Sequence, residues 1–229
     1  MPSTPDRLPQ QVAVLGAGGR VGRAVTAALL SGEHHVTAVV RDPGRYDPPP
    51  HPRLRVVRGD ARQPAPLAPV LRTTEALVLA VTPFTAPPPS FDGFDPDYYA
   101  AIVAGLADAW DHPHRRLVAV GLTATLRLDS GGAVMDDPDL FPPALTPYAE
   151  AHARQLPALS ATTLDWAILA PPGGFGTDPD PRRPYRLLRE PLSRTQVMAA
   201  LSHGTYARAV VAEVERPTVR RERVAVVPG

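Results

Sequence analysis

The sequence predicts an α/β fold: a single doubly wound parallel sheet, helices on both faces, and a small loop-rich lobe at one edge. Three observations carry this. Short runs that are apolar throughout, rather than alternating, recur along the chain, as in strands buried on both faces. Segments with apolar residues at helical spacing lie between them. A glycine-rich turn joins the first apolar run directly to the first helix.

The elements follow in order. Val12–Leu15 is the first strand, and Val21, Val25, Ala28 and Leu29 recur at helical spacing behind it. Val36–Val40 is β-branched and reads as the second strand. The loop Asp42–Pro52, stiffened by five prolines, leads to a third at Leu54–Val57. After Pro64 the pattern is ambiguous, because Pro66 and Pro69 suit a helix only in its first turn. Ala76–Val81, Leu117–Val120, Leu164–Leu169 and Val224–Val227 supply the remaining strands, with helices at Pro96–Trp110, Tyr148–Leu159 and Thr205–Glu215. The expected strand order is 3-2-1-4-5-6 with a seventh strand added. Residues 82–95, 122–147 and 171–190 break the alternation, each just after a strand, at the end where such sheets bind ligands. They are expected to form a substrate lobe on one domain spanning 1–229.

Composition narrows the function. A net charge of +1 argues against a broad basic face for nucleic acid. No apolar run approaches the roughly 20 residues of a membrane span. The first ten residues, MPSTPDRLPQ, lack a signal peptide's apolar core, so a cytoplasmic location is expected. The absence of cysteine excludes disulfides, thiolate metal sites and thiol nucleophiles. All 24 basic residues are arginine, which excludes a lysine base, a Schiff base and a lysine phosphate clamp. His34-His35 and His112-Pro113-His114 have no third ligand at sensible spacing and read as surface loop histidines, so no metal is expected. Asp136-Asp137-Pro138-Asp139 reads as a solvated acidic loop.

The strongest chemical signal is Leu15-Gly16-Ala17-Gly18-Gly19-Arg20-Val21-Gly22, a GxxGxxG spacing between a strand and a helix. Gly16 suits the tight turn, Gly19 lets backbone approach a pyrophosphate, and Gly22 permits close helix–strand packing. The helix N-terminus, at Arg20 and Val21, offers free N–H donors to phosphate. The second strand ends Val40-Arg41-Asp42. Arg41 stands where a guanidinium pairs with a 2′-phosphate, with Arg20 clamping from the other side, which selects NADP(H) over NAD(H). Alternatively Asp42 reaches the ribose and Arg41 is solvated. Asp60 after the third strand can contact an adenine amino group, with Ala61 offering backbone; Gly59-Asp60 is also simply a good turn and helix start.

These residues together resemble the atypical short-chain dehydrogenase/reductases with NAD(P)H-binding Rossmann domains. The likeness is greatest to the bacterial NADH–flavin-reductase-like branch, relatives of biliverdin reductase B. GAGGRVG (Gly16–Gly22), VVRDP (Val39–Pro43) and VVRGDAR (Val56–Arg62) are shared across that superfamily. LVAVGLTATL (Leu117–Leu126) is a further mark, and the pair LDWAILAPPGGF (Leu164–Phe175) and PYRLLRE (Pro184–Glu190) points to the branch. Gly18 replaces the usual threonine of GATGxxG. The superfamily's Tyr-x-x-x-Lys becomes Tyr148-Ala149-Glu150-Ala151-His152, which puts Tyr148 and His152 on one helix face. A neutral histidine cannot replace the fixed cation, so the orthodox alcohol-dehydrogenase mechanism is not expected.

The resemblance implies hydride transfer from NAD(P)H to a small planar acceptor, flavin or quinone-like, by a monomer or homodimer. Tyr148 or His152 is then the candidate proton donor, unless both merely line the lobe. Thr123 and Thr125 follow the fifth strand, where this fold often places a substrate-orienting hydroxyl, unless they serve only β-propensity or turn chemistry. Thr82 and Phe84 are expected beside the ribose–nicotinamide portion, and Pro171–Phe175 over the nicotinamide. Phe91, Phe94, Tyr98 and Tyr99 form either a stacking wall or lobe core. Arg182, Arg183, Arg186 and Arg189 form either an attractor for an anionic substrate or a solvated face. Two other readings stand beside the reductase: a non-catalytic NADP(H)-binding redox sensor, and a biosynthetic tailoring enzyme. Open space beside the nicotinamide with Tyr148 facing it favours an enzyme; a filled pocket favours the sensor.

Overall fold

The computed structural model describes residues 10–84, 86, 88–110 and 115–229. The N-terminal segment up to residue 9 and the His112–His114 pair lie outside the described residues. The strands are β1 (Gln11–Leu15), β2 (His35–Val40), β3 (Leu54–Arg58), β4 (Ala76–Leu79), β5 (Arg116–Val120), β6 (Asp165–Ala170), β7 (Gly174–Phe175), β8 (Tyr185–Leu188), β9 (Ala200–Leu201) and β10 (Glu222–Pro228). The helices are α1 (Arg20–Ser31), α2 (Ala68–Thr73), α3 (Tyr98–Trp110), α4 (Thr146–Ala153), α5 (Gln155–Ser160), α6 (Arg194–Val197) and α7 (His203–Glu215). The main sheet runs β3-β2-β1-β4-β5-β6-β10-β8, parallel except where β8 pairs antiparallel with β10. The expected order 3-2-1-4-5-6 therefore holds, and the seventh strand is β10.

The apolar strands are covered on both faces. In β1, Val12 and Val14 pack with Val25 and Leu29 of α1 and Tyr206 and Val210 of α7. Ala13 and Leu15 face the other way, into Ile102 and Leu106 of α3. This is the period-2 division a strand imposes when both its faces are buried. Strand order reverses between β1 and β4, and that switch point sets the place of the cleft at the carboxyl ends.

Several boundaries differ from expectation for identifiable reasons. The helix expected over Tyr148–Leu159 is two, α4 and α5, broken at Arg154. Pro157 has no N–H to bond the carbonyl four residues back, so the α4 ladder cannot run through it. β4 stops at Leu79 because Ala80 and Val81 pass tightly against the glycine turn. The segment 171–190 is not only lobe: it contains β8, which extends the main sheet to eight strands, and β7, which pairs with β9. His34 is not a surface loop histidine. It is 2% exposed, its Nδ1 accepts from the Gln10 N–H, and its Nε2 lies 3.2 Å from Glu215. Among the described residues no helix is long and apolar enough to cross a membrane, and no three His, Cys, Asp or Glu side chains cluster as metal ligands.

Candidate functional site

The cleft begins at the turn between β1 and α1. Gly16 adopts φ +84°, and a Cβ on it would lie 2.4 Å from the Ala80 carbonyl oxygen. A Cβ on Gly22 would lie 2.1 Å from the Gly16 oxygen, so that glycine lets α1 sit directly on the turn. The Gly16 and Ala17 amides donate to the Val39 carbonyl, fixing the turn to β2. Gly19 is the N-cap of α1 and supplies no side-chain cap. The first-turn amides at Arg20, Val21 and Gly22 thus have neither an intrahelical partner nor a capping oxygen. Within the protein a Cβ on Gly19 meets only the Gly16 oxygen, at 3.4 Å, so no intramolecular clash demands glycine there.

From the turn the cleft runs in two directions. One recess, about 430 Å³, is bounded by Gly16, Gly18, Arg41, Arg45, Asp60 and Ala61, with Tyr46 and Tyr98 among its other walls. Asp42 Oδ1 accepts from the Gly44 amide at 3.0 Å, and Asp60 Oδ1 accepts from the Arg62 amide at 2.9 Å. Among the described residues Arg41 and Arg45 have no carboxylate partner. Two free guanidiniums therefore stand at this end, while one oxygen of Asp42 is engaged in its own turn. Arg20, expected beside Arg41, lines the other direction of the cleft, and Arg45 shares the recess with Arg41.

The other direction opens into a chamber of about 290 Å³. Arg20, Val21, Thr82, Phe84, Pro171 and Phe175 line it together with Tyr148, His152 and His203. The Tyr148 hydroxyl is the hub. It lies 3.2 Å from Tyr99 Oη, 3.2 Å from His152 Nε2 and 3.4 Å from Thr82 Oγ1. Burial pushes the His152 pKa down to about 3, so the imidazole is neutral at pH 7. Its Nδ1 is buried and has no hydrogen-bond partner among the described residues. A proton on Nε2 leaves only a bare lone pair at Nδ1; a proton on Nδ1 would strand an N–H donor, the rarer defect in folded proteins. We therefore place the proton on Nε2. Burial also raises the Tyr99 pKa far above the phenol range, which keeps Tyr99 a donor. Both lone pairs of Tyr148 are then filled by Tyr99 and His152, and its own O–H is left to donate to Thr82 or into the chamber.

Most of the residues singled out from sequence meet in this cleft, but not all. Thr125 does not reach it: its hydroxyl donates to the Leu122 carbonyl at 2.9 Å inside a buried 3-10 turn. The Thr123 hydroxyl donates to the Pro171 carbonyl and so positions the chamber wall. Arg183 and Arg189 pair with Asp178 and Glu222, and none of Arg182, Arg183, Arg186 and Arg189 lines either space. In the acidic loop Asp136 accepts from the Ala133 amide and Asp137 pairs with Arg194. Arg45, Tyr46 and His203 went unread in the sequence. His203 follows Ser202, whose hydroxyl caps α7, and β9 carries it to the chamber; only that N-cap was a local signal.

The residues present fit an anionic dinucleotide. A tight glycine turn leaves room for backbone approach, the amides of α1 are uncapped, and free guanidiniums end the longer recess.

Comparison with known proteins gives a matching description. The sequence model of a family described as NAD(P)H-binding matches residues 16–217. The Bacillus subtilis protein YwnB, itself uncharacterized, is 26% identical over 226 residues, covering 95% of this chain and 98% of that one. Among solved structures, a proposed NADH-flavin reductase from Streptococcus pneumoniae superposes with TM-score 0.78 at 21% identity, covering 96% of this chain and 100% of that one. A proposed epimerase from Bacteroides thetaiotaomicron gives 0.79 at 22%, covering 96% and 98%. A wide-type short-chain dehydrogenase/reductase from Veillonella parvula, in complex with NADP, gives 0.72 at 20%, covering 96% and 95%.

Proposed function

The chain belongs to this NAD(P)H-binding family, and from that premise we propose that it is a reductase using NADPH in preference to NADH, with a small planar acceptor of flavin or quinone type. One observation carries the reading: the chamber beside the glycine turn is open, and the Tyr148 hydroxyl faces it with its proton free to donate. Open space in front of an oriented hydroxyl is what a reaction needs and a sensor does not. Reduced nicotinamide, bound along the cleft, supplies a hydride.

The protein's own part is binding, orientation and proton supply. Gly16, Gly18, Gly19 and Gly22 shape the turn, and the amides of Arg20 and Val21 meet the pyrophosphate. Arg41 and Arg45 take the 2′-phosphate, with Asp60 and Ala61 near the adenine. Thr82, Phe84 and Pro171 border the reacting end. Tyr148 gives its proton to the reduced acceptor, and charge developing on its oxygen is met by the Tyr99 hydroxyl and the Nε2–H of His152. Of these two neutral donors, His152 stands at the position where the superfamily uses a lysine. The NADP complex of the Veillonella neighbour and the flavin-reductase name of the Streptococcus neighbour agree with this assignment.

The test is anaerobic NADPH titration followed by rapid mixing with FMN, FAD and a quinone. NADPH binding with acceptor-dependent loss of its absorbance is expected. Tyr148→Phe should lower kcat about 10²-fold with the NADPH Kd unchanged. Tight binding with no oxidation by any acceptor overturns the reductase reading.

A further inference from the structure

The chamber continues outward into a smaller recess of about 200 Å³, bounded by Arg20, Thr82, Phe84, Phe91, Leu145 and Tyr148, with Ala86 also at its wall. From it we infer that the flat conjugated acceptor carries an anionic group, and that Arg20 is the residue that selects it. The inference rests on the reductase reading and specifies its substrate class.

The walls set the shape of the acceptor. Phe84 lies edge-on to Phe91 at 5.5 Å between centroids and 6.0 Å from the Tyr148 ring. Rings so arranged offer faces and edges to a flat conjugated molecule.

Charge sets the rest. Among the described residues lining the chamber and the recess, Arg20 is the only permanently charged side chain, and no carboxylate faces it. Among the described residues Arg20 makes no ion pair, hydrogen bond or ring contact, and His203 is the titratable group its charge acts on. A planar guanidinium at the mouth of an apolar-walled recess is the fitting partner for a carboxylate, sulfonate or phosphate. Arg41 and Arg45 cannot serve, because they stand in the opposite recess. Arg183 and Arg189 are engaged with carboxylates away from the cleft.

The reaction balances without Arg20. The acceptor gains a hydride from the reduced dinucleotide and a proton from Tyr148, which solvent restores; the dinucleotide leaves oxidised by two electrons. Arg20 makes and breaks no bond, so its effect falls on acceptor choice.

The experiment compares 1,4-naphthoquinone-2-sulfonate with uncharged 1,4-naphthoquinone in the wild type, Arg20→Gln and Arg20→Lys. In Arg20→Gln the ratio of kcat/KM for the anionic over the neutral quinone is expected to fall about tenfold or more, and Arg20→Lys to recover part of it. An unchanged ratio overturns the assignment. So does a raised NADPH Kd with the ratio unchanged, since Arg20 would then serve the dinucleotide. If the wild type reduces neither quinone nor FMN or FAD, the reductase reading fails separately. Calorimetric binding of 2-naphthalenesulfonate and naphthalene to the NADP-loaded protein then decides the Arg20 assignment: a preference for the sulfonate that Arg20→Gln removes sustains it, and no preference sinks it.

Discussion

A histidine ring buried away from any counter-charge titrates far below its solution range, and His152 is such a ring. Its only hydrogen-bond partner among the described residues is Tyr148, and burial takes its pKa from 6.5 to about 3. Between those values the unfolded chain binds a proton that the folded chain refuses, so stability falls as pH drops through that window. From pH 7 to pH 5 the loss from this one group is about 2 kcal/mol. Urea unfolding of the wild type and His152→Phe across pH 7 to 4.5 checks it: the acid slope should flatten in the variant, and equal slopes would contradict a neutral buried His152. At the other end of the cleft, Arg41 is exposed on the wall of the larger recess. Arg41→Ala should raise the Kd for NADPH about tenfold while leaving that for NADH within about twofold. Equal effects on both would assign Arg41 to something other than the 2′-phosphate. These two residues also show what sequence conveyed. The i, i+4 spacing placed Tyr148 beside His152 correctly because a helix fixes that geometry locally. Whether His152 is charged depended on burial beneath Tyr99, which comes from a different helix.

The β1–α1 turn is an element whose glycines have unequal reasons to be there. At Gly22 a Cβ would lie 2.1 Å from the Gly16 oxygen, so any side chain pushes α1 off the turn. At Gly18 a Cβ would meet only Val40 Cγ1, at 3.6 Å, an ordinary contact. Gly22→Ala should therefore cost about 1–3 kcal/mol and abolish measurable NADPH binding. Gly18→Ala should fold and bind nearly as the wild type does. Thermal unfolding with and without NADPH tests both; a tolerant Gly22 or an intolerant Gly18 would refute the packing argument. The spacing alone identified the turn but ranked its glycines only loosely. It could not say on which side of the turn Arg20 lies. As the first residue of α1, Arg20 points with the helix toward Tyr148, whereas Arg41 leaves the end of β2 toward Asp60.

At the scale of the whole molecule, strand order was legible because apolar strands and amphipathic helices alternate along the chain. The edge strand β8 was not, because Tyr185-Arg186-Leu187-Leu188 is short, half exposed and defined by its antiparallel partner 37 to 43 residues away. Thr125 failed as a site residue for a related reason. Its fate depended on a 3-10 turn, and no sequence pattern distinguishes a hydroxyl turned inward from one facing a ligand. Equally hidden was an ionic clasp at the amino end of the sheet, away from the cleft. Arg116 at the start of β5 is 5% exposed and donates to Glu213 on α7 at 2.9 Å, to Asp165 on β6 at 3.1 Å and to the Val219 carbonyl at 2.9 Å. Glu213 also accepts from the Thr218 and Val219 amides, and Arg220 pairs with Asp165. Removing one member of such a group leaves an uncompensated buried charge, which costs more than the pair ever contributed. Glu213→Leu alone should thus destabilise by about 3–5 kcal/mol. Arg116→Met added to it should recover part of that loss, because Asp165 keeps Arg220. Neither change should move the NADPH Kd by more than about twofold, since the clasp and the cleft occupy opposite ends of the same strands. Urea unfolding of the two single variants and the double variant measures the coupling, and additive losses would show that Arg116 and Glu213 do not act as a pair.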